Sequence, residues 1–172
     1  EEQYGDAILT ALPSRMVHAA MLPGHRHLRR IERRGALWAA ITVGDATLQV
    51  VNTHLGLLAT ERIAQADTLL GEDWLGHAQC RPPVVLLGDL NAVPRSRAYR
   101  RLARHLADAQ LAPASARARA TFPARLPVLR IDHVMVGPGV TVRRAEVVST
   151  PLARVASDHR PVVVDIDIVP DG

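Results

Sequence analysis

The feature that most restricts the fold of this chain is a short aliphatic run that ends abruptly in polar residues. Val84 to Leu87 follow Pro82-Pro83 and lead directly into Gly88-Asp89-Leu90-Asn91. Four aliphatic residues between such breakers are too few for a buried helix and fit a fully buried strand. A carboxylate and an amide at its end are costly to desolvate without partners. We therefore expect Asp89 and Asn91 to contribute to a shared polar site.

Three further segments place polar groups beside predicted strands. They are Asn52-Thr53-His54, Ile131-Asp132-His133 and Ser157-Asp158-His159. Neighbouring strands can bring such side chains to one edge of a sheet. The i, i+2 spacing would send Asp89 and Asn91 to the same face if the strand continues. Gly88 would let the backbone approach a ligand closely. The sequence thus predicts one site built from several strand ends.

Alternating residues and turn signals predict mostly strands. Residues alternate from Leu37 to Val43, and Gly44-Asp45 then provides a tight turn into Ala46 to Thr53, which is typical of a hairpin. The remaining predicted strands are Tyr4 to Leu12, Val17 to Leu22, Ile131 to Val136, Val140 to Val148 and Pro161 to Ile168.

Two helices are also predicted. Thr60 is a suitable N-cap for an amphipathic helix of about four turns, and Ser96 lies near the start of a second. The residues expected on their inward faces are Ile63, Ala66, Leu70 and Trp74, and then Tyr99, Leu102, Ala103 and Leu106. Strands outnumber helices and come partly as hairpins. This pattern favours the α/β (α+β) class, with helices covering sheets of mixed or antiparallel pairing.

Length and composition fit one globular domain over residues 1–172, with 48% apolar and 22% charged residues. No apolar run approaches the ~20 residues that span a bilayer, and we expect a cytoplasmic protein. All 21 basic residues are arginine, and the net charge of +4 permits a phosphate-bearing partner without requiring one. Cys80 is the single cysteine, which excludes an intramolecular disulfide.

The polar residues suit metal-assisted hydrolysis of a phosphoester. Asp89 could accept a proton from water, and the Asn91 amide could hold that water or an anionic oxygen. His159 could donate to a phosphate oxygen if a carboxylate fixed its tautomer, and Asp132 is the candidate for that partner. Asp158 is then free to bind a hard cation such as Mg²⁺.

These segments, in this order, resemble the endonuclease/exonuclease/phosphatase superfamily, which includes deoxyribonuclease I-like nucleases, apurinic endonucleases, neutral sphingomyelinases and inositol-polyphosphate 5-phosphatases. The resemblance extends from about Tyr4 to Ile168. Tyr4-Gly5-Asp6-Ala7 is similar to the family's Tyr-Gly-Asn-Ala segment, with Asp6 replacing Asn, and Glu32-Arg33-Arg34-Gly35 is similar to its Glu-x-Arg-Gly strand entry. The resemblance implies the deoxyribonuclease I-like four-layer α/β sandwich.

The resemblance also implies a role for each residue. His54 would contact the scissile phosphate and help to protonate the leaving oxygen, and Asp89 would orient or deprotonate the attacking water. Asn91 would stabilise the transition state, while Asp132 would hold the phosphate-binding His159. The metal, Mg²⁺ or Mn²⁺, would be bound in part by Asp158. The implied activity is a phosphodiesterase or nuclease.

One departure from the family pattern stands out. The family begins with an Asn-bearing strand and a strand ending in Gln-Glu, whose Glu is the main metal ligand, and both would precede Tyr4. We therefore expect a C-terminal portion of a longer protein that binds metal weakly and has little or no activity alone. An apolar face or sheet edge left without those strands would favour self-association.

The sequence restricts the substrate less than it restricts the family and the type of reaction. Five arginines follow the Asp89–Asn91 segment and fit either a nucleic-acid backbone or a solvated helix face: Arg95, Arg97, Arg100, Arg101 and Arg104. A phospholipid head group or a sugar phosphate stays open as the substrate. The alternative function is a non-catalytic binding or structural domain that retains the fold. A calcineurin-type metallophosphoesterase would need further His and Asn ligands of the Gly-Asn-His kind, which are absent from the sequence.

Overall fold

The computed structural model describes residues 5–24, 32–112 and 117–169. Six strands form one sheet in the order β1-β2-β3-β4-β6-β5, in which β3 and β4 are parallel and the other neighbours antiparallel. Their bounds are β1 Ser14–Met21, β2 Gly35–Val43, β3 Ala46–His54, β4 Val84–Asp89, β5 Ala107–Asp108 and β6 Asp132–Val136. This mixed pairing agrees with the predicted α/β class.

Further layers cover the two faces of this sheet. Helices α1 (Ala59–Leu70) and α2 (Arg97–Leu102) pack on one face through a core that includes Trp38, Leu86 and Met135. The antiparallel pair β7 (Val140–Val147) and β8 (Val162–Ile168) packs on the other face, around Val85 and Val136. Two short 3₁₀ helices span Ala109–Leu111 and Leu152–Arg154. The described residues thus supply three of the four layers expected from the resemblance.

Most predicted strands are confirmed, and the hairpin has the expected register, with Val43 opposite Ala46. The strand predicted over Tyr4 to Leu12 is wrong where the structure describes it, because residues 5–12 form no strand; Tyr4 itself lies outside the described residues. β1 lies at an edge of the sheet, with Met16 and Met21 exposed. Self-association through such an edge stays a prediction.

Both helices form, but each is shorter than the apolar pattern indicated. In α1 the N-cap is Leu58, which has no side-chain cap, so the predicted Thr60 cap is wrong. Trp74 is buried in the turn after this helix instead of on its face. Ser96 does cap α2, where its hydroxyl accepts from the Tyr99 N–H at 3.2 Å. Ala103 is exposed, contrary to prediction, because α2 ends at Leu102. No helix in the described ranges has the length and apolarity to cross a membrane.

The strand pairing brings the predicted polar segments to one edge of the sheet. In the parallel pair, His54 at the end of β3 lies opposite Asp89 at the end of β4. In the antiparallel pair, Asp89 lies opposite Asp132 at the start of β6. Gly88 makes this close approach possible, because its φ is +139° and a Cβ there would lie 1.8 Å from the Thr53 carbonyl oxygen. A side chain at position 88 would therefore force the strands apart beside the site.

Candidate active site

The carboxylate of Asp89 is the centre of the site. Its Oδ2 lies 3.3 Å from Nε2 of His54 and 3.8 Å from Nε2 of His159. Its Oδ1 accepts the Asn91 backbone N–H at 2.8 Å. Burial alone would raise the pKa of Asp89, but the hydrogen bonds from His54 and from the Asn91 N–H lower it below its ordinary value. Asp89 is therefore ionised at neutral pH and can accept a proton or a hydrogen bond.

His159 is held by Asp132 as the sequence predicts. Its Nδ1 lies 2.8 and 3.0 Å from the two carboxylate oxygens, which only accept, so Nδ1 carries a proton and donates. The ring of Phe122 packs 4.8 Å from the imidazole centroid. Burial lowers the pKa of His159, but the hydrogen bond and charge of Asp132 raise it above its ordinary value. The cationic form is thus favoured more than in a free histidine, and Nε2 is directed toward Asp89.

His54 has a partner that the sequence reasoning did not assign to it. Arg34 places its Nη1 3.1 Å from Nδ1 of His54 and 3.0 Å from a Glu32 carboxylate oxygen. A guanidinium has no acceptor, so Nδ1 of His54 must accept and its ring proton is on Nε2. That proton faces Asp89. Arg34 therefore selects the tautomer in which His54 donates into the site.

Asn91 is the one described non-glycine residue with a positive φ, at 45°. Its side-chain Nδ2 donates to the Leu55 carbonyl at 2.8 Å. An amide nitrogen has two N–H groups, so one of them remains for a substrate oxygen. The loop after β4 thus orients both the backbone and the amide of this residue.

Asp158 differs from the other predicted site residues. Among the residues that the structure describes, the ligand atoms of Asp89, Asp132 and His159 lie within 4.8 Å of one another and could hold a metal ion. Asp158 is exposed and lies outside this group, with its Oδ1 3.5 Å from the Ser157 hydroxyl. The five predicted catalytic residues lie around one site, whereas metal binding by Asp158 stays a prediction.

The sequence reasoning missed two groups beside His54. Asp6 is near both His54 and Arg34, and burial raises its pKa although both neighbours lower it. The signal that could have identified Arg34 was the hairpin register. Because Ala46 pairs with Val43, the β2–β3 pairing continues as far as Ala36 opposite Thr53. Arg34 and His54 therefore lie at the same end of this strand pair. A pocket of about 660 Å³ opens at this point, lined in part by Asp6, Glu32, Arg34 and His54.

Comparison with known proteins decides the family. The family model described as Endonuclease/Exonuclease/phosphatase family matches residues 2–159. The chain belongs to this family. It is 29% identical over 147 residues to the uncharacterized protein YbhP of Escherichia coli, an alignment that covers 80% of this chain and 54% of YbhP. The chain therefore spans about half the length of the curated relatives that it matches.

Two solved structures have the same fold as most of this chain. A mannosyl-6-phosphatase from Bacteroides thetaiotaomicron aligns at 20% identity and a TM-score of 0.73, covering 90% of this chain and 67% of that one. The human Nocturnin catalytic domain with bound sulfate aligns at 21% identity and a TM-score of 0.66, covering 91% and 60%. Identities this low show the fold alone. The two structural alignments confirm the deoxyribonuclease I-like architecture expected from the resemblance.

Proposed function

We propose that the full-length protein is a metal-dependent phosphoester hydrolase that acts on phosphodiesters, nucleic acid among them. The observation that carries this proposal is the convergence of two imidazoles on one carboxylate. His54 and His159 direct Nε2 toward the same oxygen of Asp89, at 3.3 and 3.8 Å. Two N–H donors beside an ionised carboxylate are the groups that a phosphate oxygen and an attacking water require.

Each residue then has a defined task. Asp89 orients or deprotonates the water, because its lowered pKa keeps it ionised. In its cationic form, which Asp132 favours by raising the pKa, His159 donates to a phosphate oxygen, and charge developing on that oxygen strengthens the bond. His54 donates from Nε2 to the phosphate or to the leaving oxygen. Asn91 supplies its remaining amide N–H to the transition state.

The donor set is compatible with a divalent metal. Asp89 and Asp132 offer carboxylate oxygens within 4.8 Å of each other, and such oxygens suit Mg²⁺ or Mn²⁺. These two residues would hold the ion, with Asp158, which directly precedes His159 in the sequence, as the predicted third carboxylate. When bound, the ion would neutralise negative charge on the phosphate. Assays with each metal distinguish Mg²⁺ from Mn²⁺.

The loop and helix that follow the site support an extended anionic substrate. Arg95, Arg97, Arg100 and Arg104 are exposed, while Arg101 pairs with Asp67 at 2.6 Å. Exposed arginines can bind the phosphates of a nucleic acid. Since one of the structural neighbours is named as a phosphatase, a phosphomonoester is the second substrate class to test.

The test measures hydrolysis of bis-p-nitrophenyl phosphate, p-nitrophenyl phosphate and single-stranded DNA by the full-length protein, with Mg²⁺, Mn²⁺ or EDTA. We expect metal-dependent turnover of the diester that falls about 10²–10³-fold in His159→Ala. Asp45→Asn, in the exposed turn between β2 and β3, is the matched control and should retain activity. Unchanged turnover in His159→Ala would contradict the mechanism. DNA binding without turnover would support the non-catalytic alternative.

A further inference from the structure

A second histidine–carboxylate pair lies on the opposite face of β6 from the candidate site. His133 follows Asp132 directly, and successive side chains of a strand point to opposite faces. The His133 and Asp108 side chains are 0% and 1% exposed, and Nδ1 of His133 lies 3.3 Å from Oδ2 of Asp108. The same oxygen accepts from the Tyr99 hydroxyl at 2.7 Å and from Arg130 at 2.6 Å. The proposed reaction uses none of these four residues.

The other nitrogen of His133 contacts the catalytic loop. Its Nε2 lies 2.8 Å from the carbonyl oxygen of Ala92, which directly follows Asn91. A carbonyl oxygen only accepts, so Nε2 carries a proton and donates to it. Ala92 is 1% exposed, so water does not compete for this bond. The buried pair is thus hydrogen-bonded, through His133, to the backbone of the segment that contains Asn91.

That segment adopts an uncommon conformation. Asn91 has a φ of 45°, in the left-handed region, which asparagine occupies more readily than most other residues with a side chain. Two contacts favour this conformation. On its N-terminal side Asp89 accepts the Asn91 N–H at 2.8 Å, and on its C-terminal side His133 donates to Ala92. These contacts hold the backbone on both sides of the left-handed residue.

We propose that His133 is a positioning residue for Asn91. Asp108 orients the imidazole, its Nε2–H holds the Ala92 carbonyl, and the Asn91 amide is thereby kept where it reaches both Leu55 and the substrate. The inference rests on the proposed function for its effect on catalysis. The competing interpretation is that His133, Asp108, Tyr99 and Arg130 only satisfy one another's polar atoms in the core. His133 would then have no effect on Asn91.

Two substitutions of His133 separate these interpretations. The amide nitrogen of Gln reaches the position of Nε2, so His133→Gln keeps a donor for Ala92 and loses the contact with Asp108. The shorter His133→Asn reaches the position of Nδ1, so it keeps the contact with Asp108 and loses the donor for Ala92. A role confined to the core predicts equal effects on catalysis, whereas a positioning role predicts a difference. Met135→Leu, on the same buried face of β6, is the control for packing alone.

We would measure kcat and KM on the full-length protein, together with hydrogen exchange of the Asn91 amide. His133→Asn should lower kcat at least tenfold more than His133→Gln, with KM within about threefold of wild type, because His133 does not touch the substrate. Asn91 exchange should accelerate at least tenfold more in His133→Asn than in His133→Gln. Equal values of kcat and of exchange in the two variants would overturn the inference.

Two features keep this test independent of the proposed function and of folding. If the wild-type protein has no activity, the proposed function fails, and the exchange rates still decide the role of His133. If both variants fail to fold, NMR of the wild-type protein tests the hydrogen bond from His133 to Ala92. A slowly exchanging Hε2 proton of His133 with cross-peaks to Ala92 would support the inference, and its absence would contradict it.

Discussion

The two faces of β6 carry the same chemical pair in opposite settings. Asp132 and His159 are partly open, at 20% and 23% exposure, and Nε2 of His159 is directed toward Asp89. Asp108 and His133 are buried, and both nitrogens of His133 have protein partners. The oxygens of Asp108 accept from the Tyr99 hydroxyl, Arg130 and the Gln110 N–H, and one of them lies 3.3 Å from Nδ1 of His133. The open pair keeps an atom available for a substrate, and the buried pair does not.

Hydrogen bonding on the two faces explains this difference. Although burial raises the pKa of Asp108, the contacts with His133, Tyr99 and Arg130 hold it well below its usual range. A buried carboxylate with that many donors is stable and chemically inert. On the other face, burial lowers the pKa of His159, but Asp132, Asp89 and Asp158 together raise it, and its Nε2 lies 3.8 Å from Asp89, beyond hydrogen-bond distance of that carboxylate. A histidine–carboxylate pair therefore suits chemistry only when one of its atoms remains accessible to a substrate.

The largest expected effect comes from breaking the buried pair. Asp108→Ala would leave Tyr99, Arg130 and His133 without their shared acceptor, and should lower the free energy of unfolding by about 3–5 kcal/mol. Urea denaturation measures this change. Asp67→Ala is the matched control, because its ion pair with Arg101 is half-exposed and is worth less than about 1 kcal/mol. If Asp108→Ala lowered the free energy of unfolding no more than Asp67→Ala does, the hydrogen bonds to Asp108 would not stabilise the fold.

Breaking the open pair should affect activity instead of stability. Asp132→Asn removes the charge that orients His159 and raises its pKa, and we expect kcat/KM of the full-length protein to fall about 100-fold. The free energy of unfolding should change by less than about 1 kcal/mol, because the pair is partly exposed. Diester hydrolysis and urea denaturation of the same preparation give both values. A large loss of stability with normal turnover would reverse the roles assigned to the two pairs.

A smaller change should remove one donor from the buried pair and leave the rest. Tyr99→Phe loses the hydroxyl that donates to Asp108 at 2.7 Å but keeps the ring that packs 4.9 Å from His133. Because the acceptor is charged, we expect a loss of about 2 kcal/mol by thermal or urea unfolding. Tyr99→Leu should lose more, since it also removes the ring. Full stability in Tyr99→Phe would mean that Arg130 and His133 suffice for Asp108.

The smallest effect should be an opposite pH dependence of the two pairs in metal-free protein. The pKa of Asp108 is lowered on folding, so its stabilisation is present above the unfolded value near 4 and is lost as pH falls. The pKa of His159 is raised, so its stabilisation is complete below about pH 6.5 and is lost as pH rises through the folded value. Unfolding of His159→Ala between pH 5 and 9 should show a flatter profile than wild type. An unchanged alkaline slope would contradict this assignment.

Local patterns were enough to predict much of the fold. The hairpin around Gly44-Asp45, the buried strand that ends at Gly88-Asp89 and the strands after Asp132 form as expected. Three local predictions fail, at a helix cap, at a helix end and in one apolar segment. α1 begins without the predicted Thr60 cap, and Trp74 is buried although it follows the helix. Residues 5–12 have an apolar pattern but form no strand.

The sequence by itself determined that polar groups end several strands and that Asp132 and His133 point to opposite faces of β6, because strand geometry has a period of two. It did not determine which face would be open. That depends on residues far along the chain: His159 reaches Asp132 from one side, whereas Asp108, Tyr99 and the helix layer enclose His133 on the other. The burial of each pair, and the number of its hydrogen-bonding groups that remain accessible to a substrate, depend on how the layers pack. Only the tertiary structure decides them.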